Sequence, residues 1–165
     1  MIKMIDRGFK MIRKMKDSDL DQVCELEKKL FSHPWRRIDF NYELTENPFS
    51  HYVVEEENGE IVAYLGLWLD ENQIQITTLG VNEDYQRQGY AKKLMDYLFD
   101  FSQKNKVDTL SLEVRESNFK AINLYEYFHF KKAAIRKNYY SHPDEDGILM
   151  ICNMKGDFSH ENISR

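Results

Sequence analysis

Cysteine is scarce in this chain, which excludes a disulfide scaffold. Only Cys24 and Cys152 occur, each inside an apolar stretch and without C-x-x-C spacing, so a cysteine zinc site is not indicated either. A reducing cytoplasm suits such a chain. Long hydrophobic runs are also lacking: the longest, Ile61 to Leu69, is about half of the roughly 20 residues a membrane span requires, and it reads as a buried strand. No membrane partner is expected. Positive charge is not in excess, since the formal net charge is −5. The surface as a whole therefore has no pull toward phosphate backbones, and direct nucleic-acid binding is not expected, although a local basic patch is still allowed. Residues Met1 to Lys10 mix Lys3, Arg7 and Lys10 with Ile2, Met4, Ile5 and Phe9 but hold no long apolar core, which does not fit a secretory signal. The seven glycines include no G-x-G-x-x-G and no G-x-x-x-x-G-K-[ST], which excludes a Rossmann fingerprint and a P-loop.

What is present describes one globular domain. A length of 165 residues, 42% hydrophobic and 13% aromatic, suffices for a real core and does not suit disorder. Residues 1–10 read as an N-terminal extension, 11–155 as the domain and 156–165 as a C-terminal tail. From Met11 to Lys16 apolar and basic residues alternate as in a strand, and Asp17 and Ser18 offer N-cap oxygens for a helix. Leu20, Val23, Cys24, Glu27 and Leu30 follow helical spacing until His33-Pro34 stops it. A second helix is expected from Arg36 to about Glu46. The period then changes to two: His51 to Glu55 reaches Asn58-Gly59, the dipeptide of a type I′ hairpin, and Ile61 to Leu69 returns. Beyond the turn Asp70-Glu71-Asn72, Ile74, Ile76, Thr78 and Val81 make a third strand, completing an antiparallel meander. A helix from Gly89 to about Lys104, a strand Thr109 to Val114 and a helix Asn118 to Phe128 follow. Strands Phe130 to Lys137 and Gly147 to Met154 close the chain, separated by the polar loop Ser141 to Asp146. The fold class is α+β, a mixed sheet with helices on its faces.

Chemistry concentrates at Gln86-Arg87-Gln88-Gly89-Tyr90-Ala91, between the strand end at Val81 and a long helix. The small Gly89 and Ala91 let the backbone approach a ligand. A helix start exposes unpaired N–H groups whose partial positive charge suits a phosphate, and Arg87 adds a formal charge. Alone, the pattern reads equally as a capped helix with surface Gln and Arg.

In its context it resembles a known family. The order strand, Q-x-x-G-x-A loop, helix, strand ending Leu112-Glu113-Val114, then Asn118, Ala121 and Leu124-Tyr125-Glu126-Tyr127-Phe128-His129-Phe130 is similar to that of the GNAT superfamily of acetyl-coenzyme A dependent N-acetyltransferases. The resemblance covers residues 11 to 155. Asp84 to Gly89, Leu112 to Asn118, Ala121 to Glu126 and Ile135-Arg136-Lys137-Asn138-Tyr139-Tyr140 look like the RimI type, which acetylates the N-terminal alanine of a small-subunit ribosomal protein. The resemblance implies a GNAT acyl-CoA N-acyltransferase fold: a mixed, mostly antiparallel central sheet flanked by helices, with a V-shaped cleft between two splayed parallel strands, Gln73 to Val81 and Thr109 to Val114. It implies acetyl-CoA as co-substrate and no metal. Leu79, Gly80 and Val81 would offer main-chain groups to the pantetheine and acetyl carbonyl, Arg87, Gln88, Gly89, Tyr90, Ala91 and Lys92 would wrap the pyrophosphate, and Asn118 would add a side-chain contact. Gly80 stands where relatives often carry alanine, and Ala91 where many carry glycine.

The same resemblance assigns Glu113 as general base and Tyr125 as general acid. An N-terminal amine with a pKa of ~7.7 to 8.0 is mostly protonated at neutral pH and needs a base before it attacks a thioester. Because an ordinary carboxylate is a feeble base, Glu113 is expected to be partly desolvated or to act through a water. A phenol of reference pKa ~10 donating to a thiolate of ~8.5 is mildly uphill. The expected route is direct attack in a ternary complex. Tyr139, Tyr140 and the acidic loop Asp144-Glu145-Asp146 are candidates to hold a peptide and its amine, and read equally as a solvated loop. His33, Trp35 and Arg36 are candidates for the acceptor side, though a helix-ending turn with a tryptophan anchor is the better reading. His51, His129, His142 and His160 show no metal-ligand spacing, and no Ser-His-Asp set suggests covalent catalysis. The expected partner is a peptide or protein N-terminus, with oligomeric state left open. The alternatives are a GNAT acetylating a polyamine, amino acid or aminoglycoside, and a module that senses acetyl-CoA without turnover.

Overall fold

A computed structural model describes residues 12–156; the expected extension 1–10 and all of the expected tail except Gly156 lie outside the described residues. Among these are seven strands and four helices: β1 Ile12–Lys14, α1 Leu20–Leu30, α2 Arg37–Thr45, β2 Ser50–Glu57, β3 Glu60–Asp70, β4 Gln73–Val81, α3 Tyr90–Lys104, β5 Thr109–Arg115, α4 Phe119–Tyr127, β6 Lys131–Tyr140 and β7 Glu145–Asn153. They fall in two compact units, one running up to Trp68 and including Thr77–Phe101, the other made of Leu69–Ile76 and the chain from Ser102 on.

In the first unit the strand order is β1-β2-β3-β4. β1 and β3 pair antiparallel with β2. The β2–β3 turn has positive φ at both Asn58 (51°) and Gly59 (81°), as a type I′ hairpin requires. Alternate residues of β2 face opposite ways. Tyr52 and Val54 join Leu20, Val23, Cys24, Phe40 and Tyr64 in a core with α1 and α2. His51 stacks on Phe101 of α3, with centroids 4.2 Å apart, and its Nε2 lies 2.7 Å from the Tyr97 hydroxyl. Glu55, on the same side as His51, is fully buried against α3, where Lys93 Nζ lies 3.8 Å away. Neither of its oxygens has a hydrogen-bond partner, and burial pushes the carboxyl up to about 7.

The start of α1 differs from expectation. Asp17–Asp19 form a short 3-10 turn, so the helix is delayed to Leu20, and neither Asp17 nor Ser18 caps it. Asp19 occupies the N-cap position without a side-chain cap bond; its carboxylate instead accepts the Lys16 N–H at 2.8 Å and both terminal Arg13 nitrogens, each at 2.8 Å. That pairing with Arg13 holds Asp19 below the usual carboxylate range.

In the second unit the order is β4-β5-β7-β6. β4 and β5 pair in parallel over Gln73–Gln75 and Thr109–Ser111 only, and β7 runs antiparallel to both β5 and β6. The last hairpin is longer than the sequence suggests. β6 extends through Tyr140 and β7 begins at Glu145, so the expected loop shrinks to Ser141–Asp144. The reason is Asp146, which accepts the Asn138 N–H at 2.9 Å where the backbone turns left-handed (φ 51°), and carries the pairing past that irregularity. The sheet is mixed and mostly antiparallel, with helices beside it, as the resemblance implies.

Gly80 is explained by packing. A Cβ there would sit 2.5 Å from the Tyr64 ring and hydroxyl, so the aromatic ring occupies the space an alanine methyl would need. Gly80→Ala is expected to cost about 1–3 kcal/mol in chemical denaturation, the range for overpacking a filled core. Glu55 imposes a pH dependence. Its folded-state carboxyl lies above the 4.5 of a free glutamate, so the native state binds the extra proton and stability falls as pH rises from about 4.5 to about 7. In Glu55→Gln, melting temperatures measured across that window should decline less than in the parent; an identical profile would show that Glu55 does not titrate there.

Candidate active site

The candidate residues form two sets, one in each unit. In the first, β4 ends in Leu79, Gly80 and Val81, the last two buried. The Gln86 amide donates to the Val81 carbonyl at 3.1 Å, Gln88 donates to the Asp84 carbonyl at 3.2 Å, and Asn82 accepts the Asp84 N–H at 3.0 Å, so the loop is tied back on itself and on the strand. Arg87 and Gly89 both have positive φ, 62° and 89°. Glycine tolerates this freely and arginine at some cost, and the turn brings the chain into α3 at Tyr90. Lys93 donates to the Gly89 carbonyl at 3.0 Å. The N–H groups just before it are those a helix start leaves without intrahelical partners, and they carry the positive end of the helix dipole. Arg87, Gln88, Gly89 and Lys92 are exposed around them. This set suits a phosphate. Tyr90 differs from its neighbours: its side chain is buried and its hydroxyl bonds to Glu57, which pushes it up to about 12, so only its main chain faces such a ligand.

The second set surrounds Glu113. β5 buries Leu110, Leu112 and Val114 and turns Ser111, Glu113 and Arg115 to the opposite face. Glu113 is 14% exposed; its Oε1 accepts Arg136 Nε at 2.9 Å, while Oε2 is buried without a hydrogen-bond partner. The Glu113 carboxylate raises the Tyr139 hydroxyl above its ordinary range. Arg136 reaches Glu113 across β7, where Gly147 pairs with both Arg136 and Arg115. A Cβ on Gly147 would lie 3.2 Å from both Tyr139 and Tyr140. Tyr140 lies under the Arg115 guanidinium, 4.6 Å from its ring centroid. Tyr125, on α4, is buried with its ring 5.8 Å from Phe130, and burial pushes its hydroxyl up to about 12. Asn118 is the N-cap of α4, its Oδ1 accepting the Ala121 N–H at 3.2 Å.

Several expected roles take a different shape. In the acidic loop, Glu145 accepts the Ser117 N–H at 2.6 Å and pairs with Arg115 at 3.2 Å, while Asp146 pairs with Lys137 at 3.1 Å. These two carboxylates brace the hairpin, and their hydrogen bonds hold both below the usual range. Trp35 is the anchor expected of it, its ring 5.4 Å from Phe40 and 6.2 Å from Tyr52. Arg36 is exposed and paired with Asp39. Sequence reasoning attached no role to Arg136, because its partner Glu113 lies across an intervening strand. Among the described residues no group of His, Cys, Asp or Glu is placed to hold a metal ion, and no helix is long and apolar enough to cross a membrane.

Comparison with known proteins places the chain in a family. Residues 20–130 match the model of the acetyltransferase (GNAT) family. The chain is 37% identical over 139 residues to a putative ribosomal protein bS18-alanine N-acetyltransferase of Bacillus subtilis, covering 84% of this chain and 92% of the relative. It is 34% identical over 141 residues to the ribosomal protein bS18-alanine N-acetyltransferase of Escherichia coli, covering 84% and 94%. The crystal structure of the Escherichia coli ribosomal-protein-S18-alanine N-acetyltransferase superposes with a TM-score of 0.80 at 31% identity, over 92% of this chain and 96% of that one. The loop before α3, the carboxylate on β5 and the tyrosine on α4 therefore stand in a chain that belongs to the GNAT acetyltransferase family.

Proposed function

We propose that residues 11–155 form an acetyltransferase domain that moves acetyl from acetyl-coenzyme A to the N-terminal alanine amine of ribosomal protein bS18, in the cytoplasm, by direct attack. The observation that carries the reading is the Glu113 carboxylate, one oxygen held by Arg136 and the other buried without a partner, in a chain whose relatives are named for that acceptor. The loop and helix start at Arg87–Lys92 fit the pyrophosphate because they combine left-handed turns, the N-terminal end of a helix dipole and exposed positive charge. Leu79, Gly80 and Val81 would present main-chain groups to the pantetheine and acetyl carbonyl, and Asn118 would reach the cofactor through its amide nitrogen.

The chain's own residues supply the proton transfers. Glu113 takes a proton from the acceptor ammonium through Oε2, directly or by way of a water, while Arg136 keeps Oε1 oriented. The freed amine forms its C–N bond to the acetyl carbon as the C–S bond breaks. Tyr125, held near 12 by burial, is a weaker acid than the departing thiol, so its first contribution is a hydrogen bond to the sulfur. Proton transfer follows only as negative charge collects there. Two buried cysteines, not joined in a disulfide, are in keeping with a reducing compartment.

The test is mass spectrometry of an alanine-starting bS18 peptide incubated with the protein and acetyl-coenzyme A, which should gain one acetyl group. Modification of polyamines, amino acids or aminoglycosides alone would replace this reading with a small-molecule one, and cofactor binding without turnover would make the protein a sensor. Glu113→Gln should lower kcat at neutral pH by about 10²-fold or more, the scale of general-base catalysis, with acetyl-coenzyme A affinity nearly intact. Unchanged turnover removes Glu113 from its role. For Tyr125→Phe the expected loss is in kcat, about tenfold or more for one hydrogen bond to a charged group; wild-type rates would leave Tyr125 a packing residue.

A further inference from the structure

Glu27 is a buried carboxylate with no part in this chemistry. It lies on α1 and is 2% exposed. Its Oε1 accepts the Thr78 hydroxyl at 2.8 Å, and its Oε2 accepts the Trp35 N–H at 3.3 Å. Desolvation pushes its carboxyl up, so it gives up its proton reluctantly. Close by, the Trp35 ring packs on Tyr52, whose hydroxyl is 2.7 Å from Thr77 Oγ1. The segment between α1 and α2 thus hangs from β4 at Thr77 and Thr78, next to Leu79, Gly80 and Val81. An apolar residue at position 27 would fill the same space without the cost of burying a carboxyl, but it could not join a strand hydroxyl and a loop N–H in one fixed geometry.

We infer that Glu27 is a positioning residue for the acceptor: it fixes Trp35, and with it the turn between α1 and α2, to β4 at Thr78, next to Leu79–Val81, so that an amine approaching an acetyl group held at that strand end meets it in register. The inference rests on the proposed peptide acetylation. Glu27 touches neither the cofactor nor the amine in this role; it acts through Trp35 and Thr78. The loss on removing it should therefore fall on the acceptor, since misplacement of a reactant by a fraction of an ångström is costly while binding of the other reactant is spared.

The test is steady-state kinetics of the full chain with acetyl-coenzyme A and an alanine-starting bS18 peptide, each varied in turn, for the parent, Glu27→Gln, Glu27→Ala and Thr78→Val. Glu27→Ala and Thr78→Val should raise the peptide KM by about tenfold while the acetyl-coenzyme A KM stays within about twofold. Glu27→Gln keeps an acceptor for Trp35 and a donor for the Thr78 oxygen, and should stay within about threefold of the parent. A peptide KM unchanged in Thr78→Val overturns the inference even where Glu27→Ala fails to fold. Equal rises in both KM values overturn it as well, since they mark a general defect. A parent protein that acetylates no alanine-starting peptide fails earlier: the proposed function falls, and the inference with it, before any variant is compared.

Discussion

The hydrogen bond from Thr78 to Glu27 is the constraint around which the first unit is arranged. β4 ends at Leu79, Gly80 and Val81, and the residues that lead into that end are packed or bonded against other elements of the unit. Thr78 is held by Glu27 of α1, Thr77 by Tyr52 of β2, and Gly80 is left without a side chain because Tyr64 fills the space beneath it. Each contact comes from a different element, and together they set the strand's position with little slack. The Tyr64 hydroxyl has no hydrogen-bond partner. Burying it is a cost that the close approach of its ring to the Gly80 backbone entails.

A comparable arrangement organises the second unit around Glu113. One carboxylate oxygen is fixed by Arg136 and the other is buried and unpartnered. Gly147 makes this possible, since a side chain there would press on Tyr139 and Tyr140, the rings that flank the Arg136–Glu113 and Arg115–Glu145 pairs. Glu145 and Asp146 hold the same hairpin through main-chain N–H groups at Ser117 and Asn138. A stretch that composition marks as solvated loop is in fact a cross-braced strand pair.

Local signals were legible wherever a local cause acts. Asn58-Gly59 announces its hairpin because few other residues accept two positive φ values in succession. The helices fall within a residue or two of their expected ends, since proline, glycine and apolar spacing act over one turn. The start of α1 is not legible in the same way: Asp17, Ser18 and Asp19 are all competent acceptors, yet none caps the helix with its side chain, because the Asp19 carboxylate is taken by Arg13, a strand residue, and by the Lys16 N–H. The end of β6 is hidden for a related reason: past the irregularity its residues are held by partners on the returning strand, Asn138 by Asp146 and Tyr140 opposite Glu145. Glu27 was read as one more position on an apolar face, which by burial it is.

By itself the sequence determined the order of elements and the small-residue loop before α3 and, through resemblance to a family, pointed to N-acetyl transfer with Glu113 and Tyr125 as candidates for its base and acid. Those features reside in residue type and short spacing, which a chain carries before it folds. Only the tertiary structure decided which Glu113 oxygen is engaged, that Arg136 engages it, that burial pushes the Tyr125 hydroxyl up, and that Glu27 ties Trp35 to Thr78. Each of these depends on desolvation or on partners tens of residues apart, and neither exists until the strands are paired and water has left the core.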